Sequence, residues 1–132
     1  MKVLTIKEPF ATLIKNRVKY IETRSWKTNY RGELYIQAGL TKLTKEIIER
    51  ENLSELYNEC ELKYGYIICK CNLVDCIYMT EDFIMQEKNK NYKNFIAGRY
   101  EVGRYAWVLD NIEPINPIKV KGQLGIWNYN QK

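Results

Sequence analysis

Between Lys19 and Gly32 the chain reads KYIETRSWKTNYRG, and no other stretch gathers as much chemistry in so few residues. Lys19, Glu22 and Arg24 form an ionisable trio, Trp26 follows it, and Tyr30 with Arg31 adds a second basic-aromatic pair. Arginine offers a planar donor fork suited to phosphate or to a base edge. Lysine offers a point charge, or a nucleophile where burial depresses its pKa. A glutamate between them can pair with either and fix its orientation. Trp26 could serve as a platform on which a base stacks, a contact worth roughly 1–3 kcal/mol in single-strand binders. Tyr30 and Arg31 would extend that platform along a strand backbone. The plainer readings are a Glu22–Arg24 ion pair on a strand surface, worth roughly 0–1 kcal/mol, a solvated Lys19, and a Trp26 that only covers apolar neighbours.

The elements that must position these residues follow from periodicity. Val3, Leu4 and Ile6 suggest a first short strand. Pro9 then sits in the first turn of a helix, where its missing N–H costs nothing, and Phe10, Leu13 and Ile14 give that helix one buried stripe. Lys19–Trp26 reads as a second strand. Strict alternation along it puts Glu22, Arg24 and Trp26 on one face and Lys19 on the other, so Lys19 joins them only across a bulge or turn. Glu33–Ala38 alternates as a half-buried strand, with Leu34, Ile36 and Ala38 inward. Leu43, Ile47 and Ile48 mark an amphipathic helix. A second helical set, Leu53, Leu56, Tyr57 and Cys60, follows a break at Asn52, with Glu55 as a capping-box partner.

Tyr66–Tyr78 is the longest predicted strand. Ile67, Cys69, Cys71 and Leu73 share one face, and the apolar parity then switches toward Val74, Cys76 and Tyr78, as a bulge would cause. Thr80 is placed to cap a short helix carrying Phe83 and Ile84. Lys88–Asn94 reads as a polar loop, Tyr105–Leu109 as a buried strand, Asn111–Pro117 as a proline-punctuated connection and Ile118–Trp127 as the last strand. Trp107 and Trp127, flanked by apolar residues, are assigned to packing. The order β-α-β-β-α-β-α-β-β, with short strands and frequent turns, points to an α+β fold: a small, curved, mostly antiparallel sheet or barrel with helices at its sides.

Composition narrows the chemistry. The chain has 132 residues and no histidine, which removes His-based triads, His metal ligands and imidazole acid–base catalysis together. Cys60, Cys69, Cys71 and Cys76 lack paired zinc-knuckle spacing, so no metal and no cofactor is expected. The net charge of +5 is uneven. Residues 1–32 carry eight Lys/Arg against two Glu, whereas residues 33–64 carry four against seven. A basic N-terminal third favours an anionic partner such as nucleic acid, and Lys70, Arg99 and Arg104 could widen that surface. No apolar run approaches the roughly 20 residues that cross a bilayer, and MKVLTIKEPF is broken by charge and proline before a signal sequence builds up. The expectation is one cytoplasmic domain spanning 1–132, without a membrane partner.

These residues resemble the ASCH (activating-signal-cointegrator homology) family, whose fold belongs to the PUA-like β-barrels. The family signature is G-x-K-x-x-E-x-R, and this chain has Arg17, Lys19, Glu22 and Arg24 at those positions, lacking only the Gly. The segment from Pro9 to Ile14 is similar to the family's P-W-A-x-L motif. Arg24 to Ala38 is similar to the coactivator branch, and Y-A-W-V-L and K-G-Q-L-G-I-W to the closing strands. The resemblance implies a PUA-like barrel with a cleft near the signature. It also implies a module for RNA or single-stranded nucleic acid, or for a nucleoside or nucleotide, with Arg17, Lys19, Glu22, Arg24, Trp26, Tyr30 and Arg31 as ligand contacts.

An alternative implied by one bacterial branch is a small hydrolase acting on a modified nucleoside or RNA, with Lys19 and Glu22 catalytic. That branch carries Thr at the signature Glu position, where this chain has Glu22. Arg17 at the signature Gly either occupies a backbone angle that costs a side chain energy or adds a basic contact at the cleft rim.

Overall fold

The computed structural model describes residues 1–130, so the last two positions of the expected 1–132 domain lie outside it. Six strands form one curled half-barrel sheet in the order β2-β5-β4-β3-β1-β6. They are β1 (Lys2–Ile6), β2 (Ile21–Arg24), β3 (Gly32–Ala38), β4 (Tyr66–Tyr78), β5 (Tyr105–Lys119) and β6 (Ile126–Asn128). Four helices accompany it among the described residues: α1 (Phe10–Lys15), α2 (Lys45–Arg50), α3 (Glu81–Lys90) and α4 (Tyr92–Ile96). Among the described residues only the β1–β3 pair is parallel. The fold is therefore the small curved α+β sheet that the alternating strands imply, in the PUA-like form that the family resemblance implies.

The main core lies on the face of the sheet that α1 covers. Leu34 and Ile36 of β3, Ile68, Cys69, Cys71 and Leu73 of β4, and Trp107 and Leu109 of β5 pack there against Ala11 and Ile14 of α1. On the other face Val3, Ile67 and Trp127 form a smaller cluster, and Ile21, Met79 and Ala106 a third under α3. Both tryptophans assigned to packing are buried.

Several local expectations change. Ile67 and Cys69 do not share a face: the β4–β5 register shifts between them, so Ile67 joins the outer cluster and Ile68 turns inward. The parity change after Leu73 is present as the third register shift along the β4–β5 pair, between Leu73 and Asp75. Residues 111–117 do not interrupt the sheet. β5 runs fifteen residues through Pro114 and Pro117, because β2 pairs only with Tyr105–Val108 and leaves the later half of β5 as an edge, where a missing N–H breaks no ladder. The predicted last strand, Ile118–Trp127, is consequently divided between the end of β5 and the short β6.

Lys88–Asn94 is helical rather than loop. It holds the end of α3 and the start of α4, joined at Asn91, whose side chain accepts from the Asn94 N–H. A polar helix face looks like a loop in sequence, and the cap that organises it is one residue. The stretch after α2 is the reverse case. Asn52 does break the helix, with φ of 58°, but Leu53–Cys60 forms turns and a 3₁₀ segment, Glu59–Glu61, capped by Asn58. Glu55 caps nothing there, and α2 is capped by Thr44. Thr80 caps α3 through the Phe83 N–H, as its position suggests.

Candidate functional site

The site is built where α1 stops. The N–H of Arg17 reaches the Ile14 carbonyl and that of Val18 reaches the Leu13 carbonyl, the paired bonds of a Schellman ending, in which the residue after the cap adopts a left-handed conformation. That residue is Arg17, with φ of 63°. The signature glycine position is thus a helix terminus. Arg17 fills it at a steric cost, and its Nε donates to the Ile112 carbonyl at 3.1 Å.

The same turn explains how Lys19 reaches Glu22. β2 begins at Ile21, so Lys19 precedes the strand and its alternation does not apply. The Lys19 N–H also bonds the Leu13 carbonyl. Next along the chain, the N–H groups of Tyr20 and Ile21 both point to Oδ1 of the fully buried Asn94 on α4, at 2.9 and 3.3 Å. A side-chain amide here does what a neighbouring strand would do. The bulge or turn that convergence requires is therefore a helix cap plus an asparagine clamp.

Lys19 is 1% exposed. Its Nζ donates to the carbonyls of Ile21 at 2.8 Å and Ala97 at 2.7 Å, and lies 3.5 Å from Glu22 Oε1. Burial pushes its pKa down, and the Glu22 carboxylate pulls it part of the way back. Gly98 makes room for the ammonium: a Cβ there would lie 3.3 Å from Nζ and 3.0 Å from both Thr23 and Tyr100. The other oxygen of Glu22, Oε2, accepts from Arg24 Nε at 2.9 Å. Arg24 also donates through Nη2 to the Thr5 carbonyl at 3.2 Å, linking β2 to the end of β1. Glu22, itself buried, is held by one cation at each oxygen.

These groups open onto a cleft of about 780 Å³. Thr5–Lys7 and Phe10 form one wall, β2 and Ser25–Trp26 another, Ala97–Arg99 and Arg104 a third, and Leu43 and Ile47 lie across it. Its ionisable lining is Lys7, Lys19, Arg24, Arg99 and Arg104 against Glu22 and Glu51, five cations to two carboxylates. Thr23 fixes two of the arginines, accepting the Arg99 N–H at its hydroxyl and an Arg104 Nη2 bond at its carbonyl. Trp26 is 39% exposed. Its ring meets buried Trp107 edge-to-face at 4.7 Å, so it both covers the core and leaves surface to the cleft.

The structure therefore brings Lys19, Glu22, Arg24 and Trp26 to one cleft and places Arg17, Tyr30 and Arg31 outside its lining. The Tyr30 hydroxyl donates to the Glu33 carbonyl, and Arg31 bonds the carbonyls of Thr28 and Tyr30. Both residues shape the turn into β3. Lys70 pairs with Glu113 on the sheet, whereas Arg99 and Arg104 do join the cleft. Thr5, Lys7 and Asn94 escape a reading of sequence, since nothing in local composition marks a residue that arrives from a distant element. Only the cluster of basic residues at 99–104 carried a signal. Among the described residues no group of three or more Cys, Asp or Glu is placed to hold a metal ion, and no helix is long and apolar enough to cross a membrane.

No curated protein matches the chain significantly. A family model, described as the ASCH domain, matches residues 4–122, which takes in α1, the whole cleft and the sheet up to the end of β5. The chain belongs to the ASCH domain family.

Proposed function

We propose that this domain binds RNA or single-stranded nucleic acid and seats one base or nucleotide in the cleft. The observation that carries the reading is the cleft itself. It has a cationic lining, a half-open tryptophan, and room for a nucleotide. Arg24, Arg99 and Arg104 supply donors for phosphate, and Trp26 supplies a face on which a base can stack. Support for a hydrolase, with Lys19 as nucleophile and Glu22 as partner, is weaker. Burial lowers the Lys19 pKa as a nucleophile requires, but the ammonium already donates to two backbone carbonyls and faces Glu22. Those contacts suit a positioning cation better than an attacking amine.

The test is fluorescence anisotropy with short single-stranded RNA and DNA at low and raised salt. Binding is expected to weaken with salt, and Arg24→Ala or Trp26→Ala is expected to lower affinity by roughly 1–3 kcal/mol. Absence of binding to either polymer at low salt overturns the reading.

A further inference from the structure

Glu22 is the one buried carboxylate lining the cleft among the described residues, since Glu51 is exposed and paired with Arg50. Besides orienting Lys19 and Arg24, Glu22 brings acceptors to the lining that a phosphate group cannot use. A carboxylate repels phosphate, and this one is kept in place by Lys19 on Oε1 and Arg24 on Oε2. An ionised carboxylate has about four acceptor positions, and these two partners use one on each oxygen. Arg24 has five N–H donors, of which Nε is given to Glu22 and one on Nη2 to Thr5. Around their contact the pair therefore keeps unused guanidinium N–H donors and unused acceptor positions on Oε2 and Oε1, at the lining of the cleft.

Among the four bases only guanine carries the complement on its Watson–Crick edge: the acceptor O6, then the donor N1–H, then the donor N2–H. Adenine and cytosine set one amino donor beside an acceptor ring nitrogen, and uracil sets one N–H between two carbonyls. Each would bring an acceptor against the carboxylate or leave a buried donor or acceptor without a partner. Building on the nucleic-acid reading above, we infer that the Glu22–Arg24 pair selects guanine, with Trp26 beneath the base and Lys19 acting as a positioning residue that holds Oε1 in line.

The experiment uses U-rich single-stranded RNA hexamers that differ at one central position, guanosine, inosine, adenosine or cytidine, with the all-U hexamer as reference. Guanosine is expected to bind at least about tenfold more tightly than adenosine, cytidine or uridine. Inosine, which keeps O6 and N1–H and loses the 2-amino donor, is expected to fall between. Glu22→Gln keeps the shape and replaces one acceptor by a donor, and is expected to bring the affinities within about threefold of one another. The inosine arm needs no variant, so it reads out even where Glu22→Gln disturbs folding. Binding of all hexamers within about twofold, or a guanosine preference unchanged in Glu22→Gln, overturns the inference and leaves nucleic-acid binding standing. Failure of every hexamer to bind overturns both.

Discussion

Lys19 is a buried cation whose surroundings serve it unequally. Two carbonyls and a carboxylate approach it, yet desolvation still lowers its pKa below the ordinary lysine value of 10.5. In the unfolded chain the amine keeps that ordinary value, so between the lowered pKa and 10.5 the unfolded state binds more protons than the native state. Stability contributed by this group must then rise with pH across that window. Chemical denaturation of the wild type and Lys19→Met from pH 7 to 10.5 measures it. The wild type is expected to gain relative to the variant as pH rises, and a flat or falling difference contradicts the assignment. At pH 7 the substitution also strips Glu22 of one cation and two carbonyls of a donor. A net cost of about 3 kcal/mol is expected, as for other broken buried pairs.

At the scale of the element, two short devices do the positioning. The first is the ending of α1. A non-glycine residue in the left-handed region pays roughly 1–2 kcal/mol, and the exposed Arg17 side chain recovers little of that through its bond to Ile112. Arg17→Gly is therefore expected to raise the unfolding free energy by up to about 1 kcal/mol in urea melts, with ligand affinity unchanged because Arg17 lies outside the cleft. The second device is α4. Asn94→Ala removes the acceptor of two backbone N–H groups at the head of β2. It is expected to cost about 2–3 kcal/mol of stability and to raise hydrogen exchange first at Tyr20 and Ile21.

How far these elements could be read in the sequence follows from their physics. β3 and β4 were legible because period-two alternation survives in strands buried on one face, and Thr80 because a cap is a local feature. Lys88–Asn94 was not, because its helices bury few apolar side chains and are joined through a side-chain cap. The fifteen-residue β5 was hidden by two prolines whose tolerance depends on which edge is unpaired, a property of the whole sheet. Within the site, Glu22 and Arg24 follow from strand alternation, whereas Trp26 lies in the bend just after β2. Lys19 does not follow from it either, because it sits in the turn before the strand.

For the whole molecule the half-barrel concentrates positive charge at one place rather than spreading it. Arg99 and Arg104 lie about 80 residues beyond Glu22 in sequence, yet both are bonded to Thr23, the next residue along β2. Each phosphate neutralised in a single strand contributes about −0.7 to the slope of log K against log salt. The Arg99→Ala/Arg104→Ala double variant is accordingly expected to flatten that slope by about 1.4. Lys70→Ala, on a lysine paired with Glu113 away from the cleft, is expected to leave it unchanged. Titrations at four or five salt concentrations distinguish the two outcomes.

The helix ending before Lys19 has one more consequence, for how such a chain can change length. Three successive N–H groups, those of Arg17, Val18 and Lys19, are committed to the carbonyls of Ile14 and Leu13, so the count of residues from Leu13 to Glu22 acts as a ruler. Removing or adding a single residue there would turn the lysine out of its socket while every amino-acid type in the signature remained. The acidic stretch from Leu40 to Tyr64, by contrast, buries only Leu53 among its side chains and supplies none of the ion-paired groups Lys19, Glu22 and Arg24. Divergence by insertion should therefore accumulate in that stretch and be nearly forbidden between Leu13 and Glu22.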